Sequence, residues 1–390
     1  MSIRHTAKTS KSFWNAKCDK SHLLGCAACE AVCHHGAISF TTDELGFSYP
    51  MVNEDLCVRC GRCEDVCPFN KASVSCIANR PMAFAAQHQD IQEVIKSRSG
   101  AVFAALSDFV LAQGGVIYGA GFDAQFNVVH GRAETSCERD AFRGSKYAQS
   151  STRGIFSKVL ADLKLGRKVL FSGTPCQVAA LSRIVPKAFR ANLSLVDIVC
   201  HGVASPAVWR DWLGYVLRLE QKEIRGVNFR DKNIYGWDGL HRESFTLADG
   251  RVRTIPATYY QPFLIRESCS ECPFASMKRV SDITLGDFWG HEKAVPDFPR
   301  ADKGISLVLV NTMVGAELFE ACKSSLVWEE VPLSACSQPN LEAPSSEDNR
   351  SKSFVHDYSQ KGFDYVRKHY WPVSVRDWLK YYIKRAINRQ

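Results

Sequence analysis

No stretch of this 390-residue chain approaches the ~20 consecutive apolar residues that a bilayer-spanning helix needs. Its opening, MSIRHTAKTSKSFW, is basic but has no apolar core, which excludes a secretory signal, so a cytoplasmic protein is expected. There is no GxGxxG turn, and therefore no sign of a standard Rossmann dinucleotide site. Long repeats and low-complexity linkers are missing too. Wholesale disorder is excluded by composition, with 45% apolar and 23% charged residues. The length suggests two or three domains at roughly 100–200 residues each.

Cysteine is what the chain has in quantity: sixteen residues. In a reducing compartment, that number points to metal rather than disulfides. Nine lie before residue 80. Cys57, Cys60, Cys63 and Cys67, followed by Pro68, spell C-x2-C-x2-C-x3-C-P. Three close thiolates grip one face of a cubane while the fourth reaches the other cluster, as in bacterial two-cluster ferredoxins. Cys26, Cys29 and Cys33 repeat the last three positions. Crossed ligation then assigns one 4Fe-4S cluster to Cys33, Cys57, Cys60 and Cys63, and the other to Cys26, Cys29, Cys67 and one more ligand. A zinc ribbon does not repeat this three-gap run.

The first repeat is irregular. Leu23 stands where the first ligand belongs, and His34 replaces the proline. A looped-out Cys18 is the expected fourth ligand; the alternatives are a three-iron cluster, or His22 or His34. Cys76 reads as a small buried apolar residue. The net charge of +8 alone would suggest nucleic acid or membrane. However, a cubane with four thiolates carries a charge of about −2, so three clusters would cancel roughly six of the eight. No recognition helix or aromatic nucleic-acid motif is present.

Beyond residue 80, strands alternate with helices. Strands are expected at Gly115–Phe122, Lys168–Ser172, Leu193–Val199, Val227–Arg230, Asp282–Leu285 and Ile305–Asn311. Helices are expected at Ala101–Ala112, Gln177–Ile184 and Val314–Cys322, with another opening at Ser205-Pro206 and running to about Glu220. A hairpin turns at Ala248-Asp249-Gly250. This alternation predicts an α/β sheet with helices outside. Cys176 and Cys200 each follow a strand, and the carboxyl ends of adjacent strands converge on one edge. Cys269-x2-Cys272 adds a chelating pair. Four soft ligands suit a cubane or a structural zinc, and the spacing also allows no metal at all.

Several segments together resemble a known family: SRSGAVF, GGVIYGAGFD, FRGSKYAQS, FSGTPCQV, VDIVCHG, FRDKNIYGW and CSECPFA with SDITLGDFWG. They resemble the coenzyme F420 hydrogenase/dehydrogenase beta-subunit family, in the bacterial form with an N-terminal two-cluster ferredoxin domain. The resemblance covers about residues 15–325. It implies an α/β (α+β) body of that type, binding FAD and a third 4Fe-4S cluster. Carried over by position, Cys176, Cys200, Cys269 and Cys272 are that cluster's ligands, which leaves Cys76, Cys137, Cys322 and Cys336 as bystanders.

For the flavin, Ser99 and Gly100 lie in a Ser/Gly turn before a helix, where free N–H groups suit a pyrophosphate. Arg143, Ser145, Lys146 and Tyr147 combine charge, hydroxyls and an aromatic ring. Thr174 and Gln177 flank Cys176 and are placed to bond the flavin or the sulfurs. His201 and Lys146 are the candidate catalytic residues, and packing is the plain reading of Asp287 and Trp289.

The reading is an iron–sulfur flavoprotein oxidoreductase that passes electrons between clusters and FAD to act on an organic substrate. The resemblance also suggests a link to surface-polysaccharide biosynthesis. The alternative is an electron-transfer subunit feeding a partner enzyme, with no substrate site. A ferredoxin or another oxidoreductase subunit is the expected redox partner. Expected domains are 15–80 (two-cluster ferredoxin type), 81–325 (flavin and iron–sulfur body) and 326–390 (C-terminal extension). The stretch from Lys361 to Gln390 has eight Lys/Arg against two Asp. Such a basic helix either packs on the body or lies on an anionic membrane or an acidic partner.

Overall fold

A computed structural model of the protein describes residues 20–70, 81–239, 242–371, 373–379 and 381. Cys18, Cys76 and, in the basic tail, Pro372, Lys380 and residues 382–390 lie outside the described residues.

Strands β1 (Ile38–Thr42) and β2 (Ser48–Val52) form an antiparallel pair in the N-terminal module, between the short helices Ala28–Val32 and Arg62–Asp65. The body is built on an eight-stranded mixed sheet. Its strands are β3 (Met82–His88), β4 (Val116–Phe122), β5 (Val128–Ala133), β6 (Val169–Gly173), β7 (Leu193–Ile198), β11 (Ile283–Asp287), β12 (Ser306–Val310) and β13 (Leu326–Val331). The spatial order is β13-β3-β12-β11-β7-β6-β4-β5. The central four, β4, β6, β7 and β11, are mutually parallel, and antiparallel strands flank them on both sides. Parallel strands covered on both faces read as continuous apolar runs, which is why these four are visible in the sequence. The sheet's two faces are filled by separate apolar clusters, one around Leu170, Val196 and Val308, the other around Tyr118, Phe171 and Leu195.

Three expectations change. Met82–His88, next to the expected domain division at residue 80 and with no strand expected, is an internal strand; Ala83, Phe84, Ala85, Ala86 and Gln87 are buried, as a strand covered on both faces requires. The sheet also runs past residue 325, because β13 pairs with β3 along its whole length. Val227–Arg230 begins earlier, as β8 (Ile224–Asn228), in a small antiparallel sheet with β9 (Ser244–Leu247) and β10 (Val252–Arg253).

An aromatic core joins this small sheet to the helices Pro206–Glu220 and Ser351–Tyr370. Ser205 caps the former by accepting from Val208 N, with Pro206 at the first helical position. Phe354, Phe363, Val366 and Trp371 pack against Trp209, Trp212 and Phe263, so the C-terminal helix turns its apolar side inward. Among the described residues no helix is long and apolar enough to cross a membrane.

The N-terminal module is docked firmly. Leu23, Leu45, Phe47 and Tyr49 belong to that same aromatic core. Arg266, 1% exposed, is the pin: its guanidinium donates to the carbonyls of Leu23 (2.7 Å) and Ser48 (3.0 Å) and to Gln149 Oε1 (2.8 Å). It also lies over the rings of Phe47 and Tyr49.

Candidate functional site

The carboxyl ends of β4, β6, β7 and β11 open onto a cleft. About 1500 Å³ lies between its walls, mouth included. Three loops line up beside it: Ala148 pairs with Ala204 and Ala204 with Ile265, bringing RGSKYAQS, VCHG and the approach to Cys269 side by side.

A second cavity adjoins the cleft. Cys176, Cys200, Cys269 and Cys272 all line it, and Cys200 lines the cleft as well. Cys176 stands in the first turn of the helix Pro175–Ile184, which Thr174 and Gln177 start as a capping box. Gly202, at φ +98°, lets the chain turn back; a Cβ there would meet Ile265 Cγ2 at 2.6 Å and Cys269 Cβ at 3.2 Å. Its N–H donates to Cys200 Sγ at 3.4 Å, and Thr174 Oγ1 lies 3.1 Å from Cys176 Sγ.

Burial pushes the Cys200 thiol up to about 12 and Cys269 to about 11, with neighbouring thiolates adding to it; Cys176 and Cys272 are raised by the same cause. All four are free thiols. Backbone N–H groups aimed at Cys200, Cys269 and Cys272, together with the buried Arg279 guanidinium near Cys200 and Cys272, favour the thiolate forms. Such a donor set fits a 4Fe-4S core. Among the described residues no three ligand-type side chains converge on a single ion, and a cubane does not require them to, since each thiolate binds a different iron.

In the module, Cys26, Cys29 and Cys67 are buried and close enough for their charges to couple. Cys26 also couples to Cys176, so this group faces the body's set. Three bonds hold it there: Thr152 Oγ1 to Cys26 O (2.9 Å), Arg183 Nη1 to Cys67 O (2.7 Å) and Gln149 Nε2 to Leu24 O (3.0 Å). Cys33 follows the helix Ala28–Val32; Cys57 and Cys60 lie on the segment leading into the helix Arg62–Asp65, which carries Cys63, and Cys60 is exposed. His34 is exposed, and His22 is engaged with Phe69 (4.8 Å) and Glu271 (3.4 Å).

Of the residues expected around the flavin, Ser99, Arg143, Ser145, Lys146, Tyr147, Thr174, Gln177 and His201 line the cleft. Gly100 does not. It is buried against β3 and β12, where a Cβ would meet Ala86 O at 2.2 Å, and its N–H donates to Ser306 Oγ. Its role is close packing. Arg143 is also committed elsewhere: Glu93 and Asp140 clamp its guanidinium, and Ser97 Oγ accepts at 3.0 Å, so its charge is neutralised. Ser99 Oγ donates to Ile305 O at 2.7 Å.

Lys146 differs from Arg143. Its Nζ donates to the carbonyls of Ala141 (2.9 Å) and Arg143 (2.8 Å), and burial lowers the amine to about 7. His201 is lowered by burial and by the Arg230 charge. The cleft wall also carries the start of the helix Val102–Ala112, where Ala101, Val102 and Phe103 face the opening with no side-chain cap. The first N–H groups of a helix lack intrahelical partners and suit a phosphate.

Other cleft residues were not evident from the sequence. His130 Nε2 donates to Ser172 O (3.1 Å), and its Nδ1 accepts from Ser150 Oγ (3.0 Å), which in turn accepts from Gln177 Nε2 (3.0 Å). Burial lowers this imidazole to about 4, so it stays neutral. At the other end, Asp287 Oδ2 accepts from Arg230 (2.8 Å) and Oδ1 from Trp237 Nε1 (3.2 Å). Trp237 stacks on Trp289, with 5.3 Å between ring centroids. The segment FRDKNIYGW was the available signal for Arg230 and Trp237, but nothing in its spacing assigns them a role.

Residues 166–335 match the family model for the C terminus of the coenzyme F420 hydrogenase/dehydrogenase beta subunit, and residues 24–71 match a 4Fe-4S dicluster domain. No curated protein matches the chain. Among solved structures, it is similar to a chain of the F420-reducing NiFe hydrogenase complex from Methanosarcina barkeri, studied by xenon derivatization. That similarity has 17% identity and a TM-score of 0.43, over 65% of this chain and 84% of that one.

Proposed function

We propose that the chain, which matches a 4Fe-4S dicluster domain over residues 24–71 and the C terminus of the coenzyme F420 hydrogenase/dehydrogenase beta subunit over residues 166–335, is an iron–sulfur flavoprotein oxidoreductase acting on an organic substrate. One observation carries the reading: Cys200 is a wall of both the four-cysteine cavity and the cleft. Four thiols would hold a third 4Fe-4S cluster, and the cleft would hold FAD directly beside it. When bound, these groups supply the exchange between single electrons and a hydride equivalent, which is two electrons and one proton.

The chain's own residues do the rest. Cys33, Cys57, Cys60 and Cys63 would form the outer set and Cys26, Cys29 and Cys67 the inner set, whose Cys26 lies toward Cys176. The ligand sets are thus ordered from the surface to the cleft. The uncapped helix start at Val102 and the hydroxyls of Ser145 and Tyr147 would bind the cofactor's polar groups. Lys146 Nζ, lowered to about 7, is suited to hold or release a proton near neutral pH. His201 stands at the same wall, and Thr174 and Gln177 fix the helix that carries Cys176. A one-electron carrier or another redox subunit would meet the outer set, where Cys60 is exposed.

The test is iron, acid-labile sulfide and flavin per chain, on protein purified without oxygen. About twelve irons and one FAD are expected. Iron without flavin, even after reconstitution with FAD, would leave an electron-transfer subunit as the surviving reading.

A further inference from the structure

The four-cysteine cavity has a wall that lies beyond the beta-subunit domain, whose match ends at residue 335. Asn340, Pro344 and Ser345 line the cavity together with the cysteines. The chain reaches it from β13 through two short helical turns, Leu333–Cys336 and Pro339–Glu342, the second started by its proline. Leu341, 1% exposed, anchors that turn in the apolar cluster of Phe288, Val295 and Val331. On one side Gln338, 4% exposed, donates from Nε2 to the carbonyl of Asp287 at 2.8 Å and lines the cleft. On the other, Ser345 Oγ donates to the carbonyl of His201, the residue after Cys200, at 2.9 Å, and accepts from Asn340 Nδ2 at 3.0 Å.

We propose that residues 337–345 are a cover over the body's four-cysteine site, tied by Gln338 to the end of β11 and by Ser345 to the backbone beside Cys200. The inference rests on the reading that these cysteines hold a 4Fe-4S cluster. A cluster's potential depends on its exposure to solvent, and loss of iron to oxygen or a chelator requires access. The cover restricts that access at the set adjoining the cleft, whereas the module's Cys60 is open to solvent. The body's set is thereby insulated on the strap side, and its open neighbour is the cleft, where the substrate reacts.

The test compares wild type with the double variant Gln338→Ala/Ser345→Ala, both purified without oxygen and mixed with a ferrous-iron chelator. Wild type should lose iron in separable phases, the slowest carrying about four of about twelve irons. Cys176→Ser should lack that phase, which identifies it. In the double variant the slow phase should quicken several-fold while the faster phases stay as they were. An unchanged slow phase, in a variant with wild-type circular dichroism and melting, overturns the cover. Should the double variant fail to fold, Ser345→Ala alone, which removes one hydroxyl, carries the test with the same signs. A wild-type protein with only about eight irons, none of which Cys176→Ser removes, would overturn the cluster reading instead. The cover is then judged by maleimide labelling of the native protein and peptide mapping. Slow labelling of Cys176, Cys200, Cys269 and Cys272 that speeds up in the variant supports it, and equal rates overturn it.

Discussion

Cys57, Cys60 and Cys63 lie within one short surface segment, whereas Cys176, Cys200, Cys269 and Cys272 come from three separate segments and meet only because a sheet brings them together. The two sets differ in what holds them. A small module has little core, so its ligands must be close in sequence, and the chain itself folds around the cluster. In the body, strands β6 and β7 are fixed by packing before any ligand is considered, and their ends deliver single cysteines to one point. Short spacing is therefore the mark of a site that organises its own fold. A site supported by an existing fold leaves almost no spacing signal.

The sharpest way to break this comparison is to remove one ligand from each set. Cys176→Ser should lower iron from about twelve to about eight per chain while leaving folding intact, since the sheet does not depend on that thiol. Cys60→Ser should cost the outer cluster and loosen the module around it, seen as faster proteolysis between residues 20 and 70. Equal effects of the two changes on folding would abolish the distinction.

A second test attacks the joint between the regions. Arg266→Ala removes three hydrogen bonds and two ring contacts from a buried position. Orphaned buried carbonyls cost about 1–3 kcal/mol each, so a loss of about 3 kcal/mol or more is expected in urea unfolding. A loss under about 1 kcal/mol would mean that the module is held by its apolar contacts alone.

The cleft offers a pH test. Lys146 in the cleft and Lys232 beside it, which donates to the carbonyls of Ser99 (3.1 Å) and Lys303 (2.7 Å), are both lowered to about 7, chiefly by burial, against about 10.4 in an unfolded chain. Between those values the unfolded chain holds protons that the folded chain does not, so stability rises with pH across that window and is lost as pH falls toward 7. Comparing urea midpoints at pH 7 and pH 9, the double variant Lys146→Met/Lys232→Met should show a smaller rise than wild type. Matching rises would show that neither amine is desolvated.

The smallest effect is expected at Gln177, which joins the start of the Cys176 helix to Ser150. Gln177→Ala should cost about 1–2 kcal/mol in thermal or urea unfolding, with iron content unchanged. Iron loss in this variant would mean that Cys176 is held by its capping box rather than by the sheet.

Much of the fold was legible. The parallel strands appear as apolar runs, and Ser205-Pro206 announces its helix. β3 was not, because Ala83, Ala85 and Ala86 carry little strand preference of their own until neighbours on both faces bury them. In the site, the thiols and the RGSKY loop could be read, since their residue types carry chemistry anywhere. The jobs of Gly100 and Arg143 could not: a serine hydroxyl in β12 takes the N–H of one, and the carboxylates of Glu93 and Asp140 take the charge of the other. His130 and Gln338 were invisible for the same reason, being defined by partners distant in the chain.

Trp289 lines the cleft and stacks on Trp237 behind it. That pair gives the protein an optical gauge of its own. Flavins absorb where indoles emit, so filling the cleft should dim the fluorescence of these two rings more than that of the chain's other tryptophans. A simple emission titration would then report occupancy without a known substrate, and Trp289→Phe would mark which part of the signal comes from the cleft.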